Sequence, residues 1–176
     1  MPAPRPPPAS ALERRFNAIL LHKMRDVPMV NPALRVQAVG FRPWAEHWLG
    51  VLVTPWFMNL LLLPRNEDAW QPVPERESRH FVFPAGVFEF IGTQDAELGN
   101  YLACSLFSPM FEFADHAAAQ ATAEAALAAL FDAGNRPASD VPAAAKAASA
   151  SPPAANTALS KRDFLFGSKP GNDHGP

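Results

Sequence analysis

Apolar positions recur at two spacings along the chain. Between residues 10 and 24, Leu12, Phe16, Ile19 and Leu20 fall three and four apart, which predicts an amphipathic helix with one apolar stripe. Ser10 followed by Glu13 has the form of a capping box. Pro28 and Pro32 oppose further helix, so residues 26–32 should break it. Apolar runs then become short and punctuated by proline and glycine. Those at 34–41, 48–54, 57–63, 79–83, 87–91 and 101–107 read as strands. Pro84-Ala85-Gly86 is a short hairpin turn, and the polar stretch 65–77, with Pro72 and Pro74, is a loop. Most gaps between these runs are too short for a helical crossover, so the strands should pair antiparallel. From Asp115, a cap, helical spacing returns and runs to about residue 132. Ala119, Ala123, Ala126, Leu127, Leu130 and Phe131 share a face, and Gly134 should end the helix. Small alanines let such a helix lie close to a sheet. The expected fold is α+β: an antiparallel sheet of about five or six strands, packed by an N-terminal and a C-terminal helix, with disordered tails.

Composition sets the limits of this body. The chain has 176 residues, which suits one domain with tails. The organisation expected is a Pro-rich disordered leader (1–9), a domain (10–132), an Ala-, Pro- and Ser-rich flexible linker (133–158) and a tail (159–176) bearing the apolar island Phe164-Leu165-Phe166. Hydrophobic residues make up 48% and aromatics 10%, enough for a real core. The formal net charge of -2, with no long basic run, argues against nucleic-acid binding. It also predicts a grip on partners that is apolar rather than electrostatic and depends little on salt. Cys104 is the single cysteine, so the chain cannot form an internal disulfide or supply a Cys-based zinc or iron-sulfur site. A reducing, cytoplasmic setting is therefore expected. Arg14-Arg15-Phe16 superficially suggests a twin-arginine signal, but His22, Lys23, Arg25 and Asp26 interrupt the segment after it. The apolar run around 60–63 is too short to span a bilayer, so membrane insertion is not expected.

Catalytic chemistry finds little support. Phosphate-binding glycine loops, a Gly-x-Ser-x-Gly elbow, His-Glu-x-x-His and Cys-x-x-Cys are absent. His22, His47, His80, His116 and His174 stand singly, without metal-ligand spacing. Cys104 could pair with His80 or His116 as a thiol nucleophile. Its place between Ala103 and Ser105 in an apolar strand fits a small buried hydrophobe better. Ser108, Asp115 and His116 make an equally weak set, because capping already accounts for Asp115. No catalytic, cofactor-binding or metal site is predicted.

The informative residues are aromatic and Met side chains in connections beside proline. Trp56, Phe57 and Met58 come after Pro55, and Met110 and Phe111 after Pro109. One reading has them closing the open ends of the sheet. The other makes Trp56, Phe57, Met58, Met110 and Phe111 one partly exposed apolar patch that binds a protein, with Phe164 and Phe166 as an added contact. A carrier with a small-molecule pocket between sheet and Ala-rich helix is the alternative.

The same segments carry a family resemblance. Trp48-Leu49-Gly50-Val51-Leu52-Val53-Thr54-Pro55-Trp56, then Phe83-Pro84-Ala85-Gly86, then Tyr101-Leu102-Ala103-Cys104-Ser105-Leu106-Phe107-Ser108-Pro109-Met110-Phe111-Glu112-Phe113-Ala114-Asp115, and finally Arg162-Asp163-Phe164-Leu165-Phe166-Gly167, resemble the signatures of the NiFe-hydrogenase assembly chaperones HybE, HupJ and HoxT. The resemblance spans about residues 12–167. It implies a non-enzymatic helper that holds NiFe-hydrogenase precursor subunits, small and/or large, in the cytoplasm until cofactor insertion is complete and twin-arginine export can begin. Other hydrogenase maturation proteins are further candidate partners. Some relatives carry a fused rubredoxin, which one cysteine cannot build. The family lends no catalytic residues to carry over.

Overall fold

A computed structural model describes residues 3–135. Helix α1 (Ala9–Ile19) continues into a wider π-type turn at Leu20–Met24. Six strands come next: β1 (Gln37–Trp44), β2 (His47–Val53), β3 (Met58–Pro64), β4 (Ser78–Phe83), β5 (Gly86–Asp95) and β6 (Gly99–Phe107). Helix α2 (His116–Leu130) closes the described body. The strands form one antiparallel sheet in the order β1-β2-β3-β6-β5-β4. The linker and tail expected at 133–158 and 159–176 lie outside the described residues, apart from a short 3-10 turn at Ala133–Asn135.

The two-residue period of the strands sorts side chains onto two buried faces. Leu49, Val51 and Val53 of β2, Met58, Leu60 and Leu62 of β3, and Leu102, Cys104 and Leu106 of β6 face α2. Ala119, Ala123, Ala126, Leu127 and Leu130 of α2 fill that side. The intervening Trp48, Leu52, Leu61, Leu63 and Tyr101 face α1, where they meet Leu12 and Phe16. The central strands therefore read as near-continuous apolar runs, because both their faces are covered. Two glycines allow close approach. Gly50 leaves the space that the Phe41 ring occupies, 2.5 Å from where a Cβ would stand. Gly40, at φ +64°, sits where β1 shifts register, under the Leu127 side chain. The two edge strands are drawn together by side chains: Trp44 of β1 stacks on Phe83 of β4 with ring centroids 4.3 Å apart.

Three local expectations are corrected. Helix α1 begins at Ala9 behind Pro8, without a side-chain cap, and Pro8 O accepts from Leu12 N. The prolines before it already set the backbone entry, and the Glu13 carboxylate instead accepts from Ala38 N, fastening α1 to β1. The first strand begins at Gln37 rather than residue 34, since Arg35 N donates to His116 and not to a neighbouring strand. Helix α2 ends at Leu130; Gly134 lies in the 3-10 turn after it, where its N–H donates to Asp132. Asp115 does cap α2, accepting from Ala118 N at 2.8 Å.

Candidate functional site

Strand register places the two aromatic connections at one end of the sheet. Val53 pairs with Met58 across the β2–β3 turn, and Met58 pairs with Phe107 at the end of β6. The turn is built by Thr54, which is fully buried. Its hydroxyl accepts from Phe57 N at 2.9 Å and from Trp56 N, and donates to Phe57 O. Trp56 and Phe57 then stand half-buried against α1. Phe57 meets Phe16 edge-on at 5.7 Å, and Trp56 lies 6.5 Å from the same ring.

One buried polar residue ties this turn to the β6–α2 connection. Asn31 N–H donates to Pro55 O at 2.8 Å. Its side-chain amide donates to Met110 O at 3.0 Å and to Phe113 O at 2.9 Å, and its Oδ1 accepts from Ala33 N. Three chain segments, 27–31, 54–57 and 108–113, thus meet at a single residue whose side-chain donors and acceptor are all engaged. Sequence reasoning passed over Asn31. The Asn31-Pro32 pair is a turn signal that marks the local Asx turn, but partners 79 and 82 residues away leave no trace in local sequence.

The residues expected in the patch differ in exposure. Phe111 is 56% exposed, and Trp56 and Phe57 keep partial exposure. Met58 and Met110 are corrected: both are 0% exposed and belong to the core on the α2 side. Met58 opens β3 with its side chain pointing toward α2. Met110 is held by its own carbonyl, so its side chain turns inward beside Phe107 and Phe113. Phe164 and Phe166 lie outside the described residues.

The remaining candidates resolve into structural roles. Cys104 is buried between Leu102 and Leu106 on the α2 side. His116 Nδ1 accepts from Arg35 N at 3.2 Å, and its Nε2 lies 2.6 Å from Gln37 Oε1. Both ring nitrogens are engaged, and burial together with the Arg35 charge holds the imidazole below its ordinary pKa. Asp95 fastens β5 to α1 through Arg15 at 3.0 Å. Burial pushes that carboxyl up, but the Leu98 and Glu97 amides and Arg15 outweigh it and hold it below its ordinary range. Among the described residues no group of three His, Cys, Asp or Glu could hold a metal ion, and no helix is long and apolar enough to cross a membrane. The space between sheet and α2 is taken up by the side chains of Ala119, Ala123, Ala126 and Leu130, all fully buried.

Comparison with known proteins covers most of the chain. A family model described as NiFe-hydrogenase assembly, chaperone, HybE matches residues 7–167. A protein of Rhodobacter capsulatus named "Probable rubredoxin HupJ" is 44% identical over 131 residues, 74% of this chain and 47% of that protein. The chain therefore spans about half the length of that relative. The "Hydrogenase expression/formation protein HupJ" of Bradyrhizobium diazoefficiens is 42% identical over 144 residues, covering 82% of this chain and 78% of that protein. The solution structure of HybE from Escherichia coli superposes with a TM-score of 0.59 at 21% identity, covering 74% of this chain and 80% of that one, and so shares the fold.

Proposed function

We propose that this chain, which belongs to the HybE family of NiFe-hydrogenase assembly chaperones, works by holding an apolar region of a hydrogenase precursor subunit against the loop end of its sheet. Phe111 is the primary contact, flanked by Trp56 and Phe57, and Phe164 and Phe166 add a second contact from the tail. The partner is the small and/or large precursor subunit, with other maturation proteins as further partners. The place is the cytoplasm, before twin-arginine export. The role is binding without catalysis: an incomplete subunit keeps apolar surface covered until its cofactors are in place.

The observation that carries this reading is the Asn31 clamp. A buried residue with five hydrogen bonds ties two distant connections together and leaves a large aromatic on one of them, Phe111, in solvent. Holding Phe111 outward costs a monomer the free energy of burying it, which a partner recovers. Aromatic anchors at interface centres commonly contribute about 2 kcal/mol or more each, and a loop fixed beforehand loses less entropy on binding. The test is retention of precursor subunits by tagged full-length protein in cells making hydrogenase. A Trp56→Ala, Phe111→Ser variant with unchanged melting temperature should lose them. Retention equal to the parent's refutes the assignment of this surface.

A further inference from the structure

We propose that the binding surface continues from Phe111 across Met29 to Leu21, and that it accepts an apolar segment of the precursor whose carboxylates lie toward α1. This inference rests on the reading of the loop end as the partner site. Five large apolar side chains are exposed among the described residues, and three of them stand on the segments that Asn31 and α1 gather at this end: Leu21 at 63%, Phe111 at 56% and Met29 at 46%. The other two, Val82 and Ile91, lie on β4 and β5.

Met29 is two residues from the Asn31 clamp, and Phe111 lies between the two residues whose carbonyls that clamp holds. The intervening chain is stiffened by two turns, Val27 N to Met24 O and Val30 N to Val27 O. Leu21 reaches the same end through the π-type turn. Leu20 packs against the same α1-side cluster as Trp56 and Phe57, and Leu21, next to it in the chain, is exposed to solvent. A π-type turn costs hydrogen-bond geometry and is often found where a helix serves a site.

Charge tells which apolar segment fits. Arg14, Lys23 and Arg25 are exposed on the α1 side and form no ion pair among the described residues. Asp26 stands next to Arg25, and Glu112 is next to Phe111 rather than on α1. Cations thus outnumber carboxylates along α1, and a precursor segment with acidic residues on that side meets complementary charge. A segment led by arginines meets repulsion there. The near-neutral total of the chain hides this local asymmetry, so binding at this surface is salt-sensitive rather than indifferent to salt.

The experiment uses the full chain with co-produced hydrogenase precursor, retained on tagged protein, alongside melting temperature. A Leu21→Ser, Met29→Ser variant is expected to hold at least about tenfold less precursor with melting unchanged, since both side chains are exposed. A Lys23→Glu, Arg25→Glu variant is expected to lose several-fold at low salt, with the gap from the parent closing at about 0.5 M salt as charges are screened. If Phe111→Ser loses the precursor while Leu21→Ser, Met29→Ser keeps it, the extension is wrong and the partner site ends at Phe111. If the charge-reversed variant binds as well as the parent at low salt, the acidic occupant is wrong. If Phe111→Ser itself retains the precursor, the underlying reading fails and the extension with it.

Discussion

Two groups of aromatic side chains in this molecule have similar composition and opposite fates. In the first, Trp44, His47, Trp70, Phe81 and Phe83 close the gap between the edge strands and bury their surface against one another. Trp44 stacks on Phe83 at 4.3 Å and meets Phe81 at 6.1 Å, and His47 meets Trp70 and Phe81 edge-on. Asn100 anchors the cluster by accepting from Trp70 Nε1 and from Val73 N. In the second, Trp56, Phe57 and Phe111 are presented by connections pinned from below by Thr54 and Asn31, and Phe111 stays in solvent. Aromatic content alone therefore does not mark a binding surface. What distinguishes the second group is Phe111: Trp56 and Phe57 also pack on a ring, that of Phe16, but Phe111 stays in solvent on a connection that Asn31 fixes.

Truncation should separate the two groups most sharply. Phe83→Ala removes a side chain that is 1% exposed and touches Trp44, Phe88, Phe90 and Phe131. It should cost about 3–5 kcal/mol in urea unfolding. Phe111→Ala should change stability by no more than about 0.5 kcal/mol, with its effect confined to partner retention. Similar costs at the two positions would erase the distinction.

Asn31→Ala tests the clamp itself. It leaves the buried carbonyls of Met110 and Phe113 without the Asn31 donor and removes the Asx turn, for an expected loss of about 2–3 kcal/mol. The Trp56 fluorescence environment should change as the two connections come apart. A neutral effect in chemical unfolding would show that the connections hold each other without it.

A smaller effect is expected from acid. His116 is favoured in its neutral form when folded, because burial and the Arg35 charge lower its pKa and because Nδ1 must accept from Arg35 N. The unfolded chain binds this proton near the ordinary histidine value, about 6.5, and the folded chain binds it only at lower pH. Stability from this group is therefore complete above about pH 6.5 and declines as pH falls toward the folded value. His47, whose pKa burial also lowers, adds to the same trend. His116→Gln should flatten part of the decline in a melting series from about pH 8 to about pH 5, the range that spans the histidine titration; an unchanged slope would assign it elsewhere.

The least change is expected at Cys104, buried on the α2 side. Native protein should react with a thiol reagent only as fast as it unfolds, and Cys104→Ala should retain partner binding. Rapid labelling would place the thiol at the surface.

The fold was largely legible from the sequence, and the exposure of the loop residues only in part. Short apolar runs bounded by Pro55, Pro64 and Pro84-Ala85-Gly86 located β2, β3, β4 and the start of β5, because turns and strand period are local properties. The stripe of Ala119, Ala123, Ala126 and Leu130 located the buried face of α2 for the same reason. The start of β1 was misplaced because Leu34 and Val36 are buried without being in the sheet, and apolarity cannot tell those states apart. Met58 and Met110 were misread as surface because proximity to proline suggests a loop tip. Whether a loop side chain points in or out is decided by hydrogen bonds such as Asn31 to Met110 O, which join residues 79 apart. Leu21 and Met29 looked ordinary for the converse reason: nothing local says that their segments converge on Phe111.

The most direct measurement compares two exposed apolar positions on one molecule. A photo-crosslinking side chain is placed at position 111 in one full-length variant and at position 82 in another, since Phe111 and Val82 are almost equally exposed, at 56% and 57%. Both are irradiated in cells making the hydrogenase precursor. The account predicts a crosslink to a hydrogenase subunit from position 111 and none from position 82. Capture from position 82 with none from position 111 would contradict it, and would move the partner surface to the β4 side of the sheet.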